Sequence, residues 1–249
     1  MRLFLTQPLR CMLGGVVVAG CLTLPSMAIA QDVDDEYDEE QWQDFGENED
    51  PWESMNRAVF RFNDTLDRWA LKPVAKGYRA VTPDVVENGV HNVFRNLGEA
   101  RNLANNVLQL KMHDAGVDTA RFFFNTTFGV LGFFDVATKM GLQRNDEDFG
   151  QTLGAWGVKS GPYVVLPLMG PSTLRDSVSL YPESYTSPYR YINDVPVRNS
   201  MFALNLVDTR AKLLSAERLI TGDKYRFVRN AYLQNREFKV KDGNVVDDF

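Results

Sequence analysis

The chain of 249 residues has only two cysteines, Cys11 and Cys21, both within its first 21 positions. From residue 22 onward there is no disulfide, no thiol nucleophile and no cysteine metal site. Histidine is as scarce, with His91 and His113 alone. That pair cannot build a histidine-rich zinc centre, and neither HExxH nor G-x-S-x-G occurs in the sequence. Beyond the first 30 residues long hydrophobic runs are missing too. The greasiest stretch, FFFNTTFGVLGFF at 122 to 134, holds six Phe and no charge between Arg121 and Asp135. It falls short of the roughly 20 apolar residues a helix needs to cross a hydrocarbon core of about 30 Å. Clustered basic charge is also absent. Residues 32 to 50 hold 11 acidic and no basic residues, leaving 22 acidic against 25 basic residues from position 51 onward, a net +3. A nucleic-acid protein needs a more basic, clustered footprint.

What is present begins with an export signal. Arg2 and Arg10 lie at the n-region, an apolar stretch runs from Cys11 to Leu24, and small residues follow. Two cleavage readings compete. Ala28-Ile29-Ala30 before Gln31 fits the small-x-small rule, whereas Val18-Ala19-Gly20-Cys21 fits a lipobox in which Cys21 takes a diacylglyceryl group. The acidic stretch after it cannot bury enough apolar area to fold and reads as a tether. A flexible chain of about 30 residues reaches about 30 Å.

Helical periodicity then takes over. Met55, Val59, Phe62, Leu66 and Trp69 recur every three or four residues, with Pro73 expected to close that segment. From Asp84 to Lys111 the stripe is Val86, Val90, Val93, Leu97, Leu103, Val107 and Leu110. Further helices are expected from Val197 to Ile220 and from Lys224 to Phe238, separated by Gly222. Eight of the 18 glycines fall between Gly129 and Pro171, a density that points to loops or close backbone packing. Tyr163 to Pro167 reads as one short strand, and nothing else reads as sheet. Asn145-Asp146-Glu147-Asp148 lacks the spacing of a calcium loop and reads as a solvated turn. The 122 to 134 run fits a buried core helix, an interfacial segment or a hairpin that dips into a membrane. Asn125-Thr126-Thr127 breaks it near its middle, and Gly129 and Gly132 allow bending.

Several stretches carry a resemblance: DPWESMNRAVFRFND (50 to 64), KPVAKGY (72 to 78), NVFRNL (92 to 97), RFFFNTTFGVLGFFDVAT (121 to 138), DFGQTLGAWGVKSGPYVVLPLMGPSTLRD (148 to 176) and DKYRFVRNAYLQNR (223 to 236). In this order they resemble the MlaA/VacJ family of Gram-negative outer-membrane lipoproteins. The resemblance implies a mainly α fold, a ring of amphipathic helices embedded in a membrane leaflet with a Gly-rich hairpin and little or no sheet, around a polar channel. It implies removal of misplaced phospholipids from the outer leaflet, handover to a periplasmic lipid carrier, and association with a trimeric porin. It also tips the signal question toward lipidation at Cys21. The implied organisation is a signal at 1 to 20 (1 to 30 on the other reading), anchor and acidic linker at 21 to 50, a helical domain at 51 to 238 and a tail at 239 to 249.

Moving a phospholipid between leaflets breaks no bond, so no catalytic residue, cofactor or metal is expected. A membrane phospholipase and a purely structural lipoprotein that scaffolds porins remain the alternatives. The expected site is the hairpin from Arg121 to Leu142, with Phe124, Gly129, Gly132, Phe133, Phe134, Asp135, Lys139 and Gly141 bordering the lipid path. Asp135 and Lys139, four apart, are expected on one helical face.

Overall fold

A computed structural model of the chain describes residues 50–244. The readings for the signal, Cys21 and the acidic linker before Asp50 lie outside the described residues. Asp50 itself is buried, accepting from Asn56 Nδ2 at 2.7 Å and from the Tyr225 hydroxyl.

Helix α1 (Glu53–Leu66) does not stop at Pro73. It runs through a π-helical turn, Asp67–Leu71, into α2 (Lys72–Val81). A proline inside a helix has no N–H to donate, and its ring presses on the carbonyl four residues back. The wider π turn, closed by Lys72 N–H donating to Asp67 O, accommodates Pro73 as the second residue of α2. Arg210 fixes the turn by a two-pronged grip on Asp67, at 2.7 and 2.8 Å. Trp69 is left 83% exposed.

The remaining helices are α3 (Asp84–Leu108), α4 (Met112–Thr127), the single turn α5 (Val136–Lys139), α6 (Phe149–Ala155), α7 (Leu174–Glu183), α8 (Val195–Leu213) and α9 (Lys224–Val240). Side-chain caps explain most of the starts. Asp135, Asp148, Thr173, Asp194 and Asp223 each accept from a backbone N–H in the first turn of the helix they precede. Gly222, at φ +65, makes the turn between the last two helical regions.

The strand β1 (Tyr163–Leu166) has a partner that the sequence hides. Antiparallel β2 (Gly170–Thr173) sets Tyr163 opposite Thr173 and Val165 opposite Pro171. Gly170 and Pro171 read as turn punctuation, yet a two-stranded sheet has only edges, where a proline is tolerated.

The packing order closes on itself. α2 lies on α8, α8 on α3, α3 on α6, α6 on α9, α9 on β2, and β1 on α1. α4 lies along α3, and α7 is fastened to α6. The fold is mainly helical with one small hairpin. Its only apolar cluster of buried side chains among the described residues is Tyr163, Val165 and Tyr225, with Val59, Phe60, Tyr232 and Leu233 around it.

Among the described residues, 23 polar or charged side chains are buried, against seven hydrophobic ones, of which four are alanines. Met55, Phe62, Leu66 and Trp69, the stripe that marks α1 as amphipathic, are exposed. So are Phe122, Phe123, Phe128, Val130, Leu131 and Phe134. A water-soluble domain sorts its residues the other way. None of the described helices is long and apolar enough to cross a membrane.

Candidate functional site

The polar interior is densest where α3 meets α4. Asn96, Glu99, Asn102 and Asn106 recur at three- or four-residue spacing along α3, and Asp118, Arg121 and Asn125 do so along α4. The two stripes face each other and interlock. Arg121, only 1% exposed, donates from Nε to Glu99 Oε1 at 2.9 Å. Asn102 Nδ2 donates to Glu99 Oε2 at 3.2 Å, Asn106 Nδ2 to Asp118 Oδ2 at 2.7 Å, and Asn96 Nδ2 to Thr126 Oγ1 at 2.9 Å. Buried charges need this degree of pairing, because an uncompensated one is prohibitively costly.

Arg121 also ties the expected hairpin shut at its base. Its guanidinium donates to the Leu142 carbonyl, to Thr138 Oγ1 at 3.0 Å and to Asp135 Oδ2 at 3.2 Å. Asn125 bridges the same arms, donating to Asp135 at 3.2 Å and accepting from Ala137 N–H at 2.9 Å. Asp135 therefore spends its carboxylate on Arg121, Asn125 and Thr138, while Lys139 is exposed. Burial alone would raise the Asp135 pKa. The hydroxyl and N–H of Thr138, together with Arg121, outweigh burial and hold it down at about 2.

The turn from Phe128 to Phe134 is drawn tight by backbone bonds, with Gly132 N–H donating to Asn125 O at 2.8 Å and Phe134 N–H to Gly129 O at 2.8 Å. Gly129 is needed for close approach, since a Cβ there would meet Phe134 O at 2.2 Å. Gly132 has φ +92 and lies against the Asn96 side chain, and Gly141 has φ +87 in open space. Phe133 is half-buried with its ring laid on Gly89 of α3, where a Cβ would come within 2.1 Å of it. Phe134 packs edge-on against Phe133 at 5.0 Å and is exposed on its other side. Phe124 is half-buried and stacks on the exposed Phe128 at 6.0 Å. The segment thus presents a polar inner edge, Arg121, Asn125 and Asp135, and an aromatic outer one.

The carboxylates at 146 to 148 do not form a solvated turn. Asp146 pairs with Arg101 at 3.0 Å and Lys239 at 3.1 Å, Glu147 with Lys111 at 3.1 Å, and Asp148 both caps α6 and holds Arg236. They clasp α3, α6 and α9 together, because the cations that neutralise them come from distant parts of the chain. His91 is likewise engaged, its Nδ1 2.8 Å from Asp208 Oδ2, and His113 is exposed beside Asp114. The apolar stripe of α3 is conspicuous in the sequence, and the asparagines opposite it are not. That run at 92, 96, 102, 105 and 106 is the signal by which the interior face can be found.

The family model described as "MlaA lipoprotein" matches residues 48–239. The protein named intermembrane phospholipid transport system lipoprotein MlaA from Haemophilus influenzae is 34% identical over 207 residues, covering 81% of this chain and 83% of its own. The Escherichia coli K12 protein of the same name is 36% identical over 202 residues, covering 79% and 80%. A solved structure described as the structural basis for maintenance of bacterial outer membrane lipid asymmetry superposes with a TM-score of 0.68 at 34% identity, covering 77% of this chain and 98% of that one. The inverted helical ring therefore has known relatives, and the chain belongs to the MlaA lipoprotein family.

Proposed function

We propose that the protein removes misplaced phospholipids from the outer leaflet of the outer membrane and passes them to a periplasmic carrier. As a family member it is an intermembrane phospholipid transport lipoprotein that maintains outer-membrane lipid asymmetry, and it is not an enzyme. The observation that carries the finer reading is the inversion of polarity, with Arg121, Glu99 and Asn102 inside and Phe62, Trp69 and Phe123 outside. A phospholipid headgroup cannot cross hydrocarbon without a polar path, whereas its tails can stay in lipid throughout. A ring with an apolar rim and a polar interior meets both demands when it lies in one leaflet. Amphipathic helices held in a membrane in this way bury their apolar faces among the acyl chains.

Within this reading Cys21 carries the lipid anchor, and the acidic stretch joins it to the body. The Arg121 to Leu142 hairpin borders the headgroup path with Asp135 and its glycines, and a trimeric porin holds the ring laterally. Deleting the gene in its host and measuring phospholipid in the outer leaflet tests the proposal. Accumulation that this chain reverses, and that a Cys21→Ala variant reverses poorly, is the expected result. Retained porin association with no effect on outer-leaflet phospholipid would instead support a scaffold.

A further inference from the structure

Arg95 is the anomaly of the polar interior. It lies on α3, one turn before Glu99, and is half-buried. Yet among the described residues no hydrogen bond or ion pair engages its guanidinium. Arginine stays charged at any relevant pH and offers five donors, so burying it unpaired is unfavourable. A second guanidinium lies close by. Arg144 Nη2 would be 3.3 Å from a Cβ at Gly98, three residues along from Arg95. Its carboxylate contacts are long, 3.4 Å to Glu99 and 3.4 Å to Asp146. Both of those carboxylates are already committed, Glu99 to Arg121 at 2.9 Å and Asp146 to Arg101 at 3.0 Å. Burial and the neighbouring Arg144 push the Arg95 pKa down. Two like charges sit together, Arg95 with no paired carboxylate and Arg144 only sharing those of Arg121 and Arg101.

We propose that Arg95 and Arg144 hold the phosphate group of a phospholipid headgroup. The inference rests on the transport reading above and assigns the headgroup a specific resting place beside the hairpin. A phosphodiester carries one negative charge and two free oxygens, which suits the planar fork of arginine. Glu99 and Asp135 lie within electrostatic reach of Arg95 and disfavour a dianion such as inorganic phosphate.

The test uses the purified full chain in maltoside micelles, titrated calorimetrically with dihexanoylphosphatidylglycerol and, separately, with inorganic phosphate. The wild type is expected to bind the lipid and to bind inorganic phosphate at least about tenfold more weakly. Arg95→Gln and Arg144→Gln should each weaken lipid binding by about tenfold or more, the value of a lost charge-assisted hydrogen bond. Arg95→Lys should retain part of it, and Lys159→Gln, an exposed cation on another loop, should change nothing. Without ligand, Arg95→Gln should melt no lower than wild type, because it removes an unpaired, half-buried charge. A merely structural arginine would melt lower when replaced. Lipid binding unchanged in both glutamine variants, a lowered melting temperature for Arg95→Gln, or equal affinity for inorganic phosphate would overturn the assignment. Lipid binding by the wild type that ignores Arg95 and Arg144 leaves the transport reading standing, whereas no lipid binding by the wild type removes both.

Discussion

Two regions of this molecule are buried to the same degree and built on opposite principles. Around β1, Tyr163, Val165 and Tyr225 pack with Val59, Phe60 and Leu233 as in any water-soluble domain. Between α3 and α4 the same depth is filled by Glu99, Asn102, Asn106, Asp118, Arg121 and Asn125. The first region is held by area removed from water and tolerates imperfect geometry. The second is held by hydrogen bonds in a low-dielectric setting, where each unmade bond is costly and each group must find its partner. The contrast separates two structural roles: the apolar cluster joins β1 to α1 and α9, and the polar seam joins α3 to α4.

The largest expected effect comes from breaking the seam. Arg121→Met leaves Glu99 buried without its principal cation and unties Leu142, Thr138 and Asp135. Loss of one partner of a buried pair costs about 3–5 kcal/mol. Pairing it with Glu99→Gln should recover part of that loss, as a double-mutant cycle by chemical denaturation in micelles will register.

Asp118 sharpens the comparison in the other direction. Its Oδ1 has no partner, and burial, reinforced by Glu99 and opposed by Asn106 and Arg144, raises its pKa to about 7. A folded-state value above the unfolded one, about 3.9, means its contribution to stability is complete below about pH 4 and is lost as pH rises through about 7. Asp118→Asn should therefore stabilise the fold at pH 8 by on the order of 2 kcal/mol and do little at pH 5. A melting-temperature series across that range reads it directly.

In the apolar cluster the same kind of surgery should be harmless. The Tyr163 hydroxyl is buried with no hydrogen-bond partner. Tyr163→Phe removes that orphan without opening a cavity and should gain about 1 kcal/mol. A loss instead would mean that the cluster depends on polar pairing as the seam does.

The sequence makes α1, α3, α8 and α9 visible because apolar residues recur at helical spacing. It does not say which face is inside, since an amphipathic stripe looks the same whether it meets a core or a lipid. The π turn at Asp67–Leu71 is hidden because Pro73 is an ordinary helix terminator. β2 is hidden because Gly170 and Pro171 are ordinary turn residues. The Glu99–Arg121 pair lies 22 positions apart, and the cations of Asp146 and Asp148 up to 93, so no local pattern announces them. Of the hairpin, the bounds Arg121 and Leu142 and the glycines were legible as places where the pattern changes. The partner of Asp135 was not, because Lys139 is the nearer cation in sequence and Arg121 the nearer in space.

The smallest expected effect on the fold comes from the outer face. Phe62 is 56% exposed on α1, in line with Met55, Leu66 and Trp69. In a protein surrounded by water, replacing an exposed Phe by Ser changes stability by less than about 0.5 kcal/mol and if anything improves solubility. In one surrounded by acyl chains the intramolecular effect is equally small, because Phe62 loses little protein contact. What changes is the interaction with the membrane, where a buried Phe is worth about 1.5–3 kcal/mol. Phe62→Ser should melt within about a degree of wild type in micelles and yet partition into phospholipid vesicles more than tenfold less. For this measurement the chain should lack its acyl anchor, so that the ring alone provides the affinity. Unchanged partitioning would place α1 away from lipid and leave its exposed stripe for a protein partner. A large fall in melting temperature would mean that Phe62 packs within the ring, and the division between an apolar outside and a polar inside would no longer hold for α1.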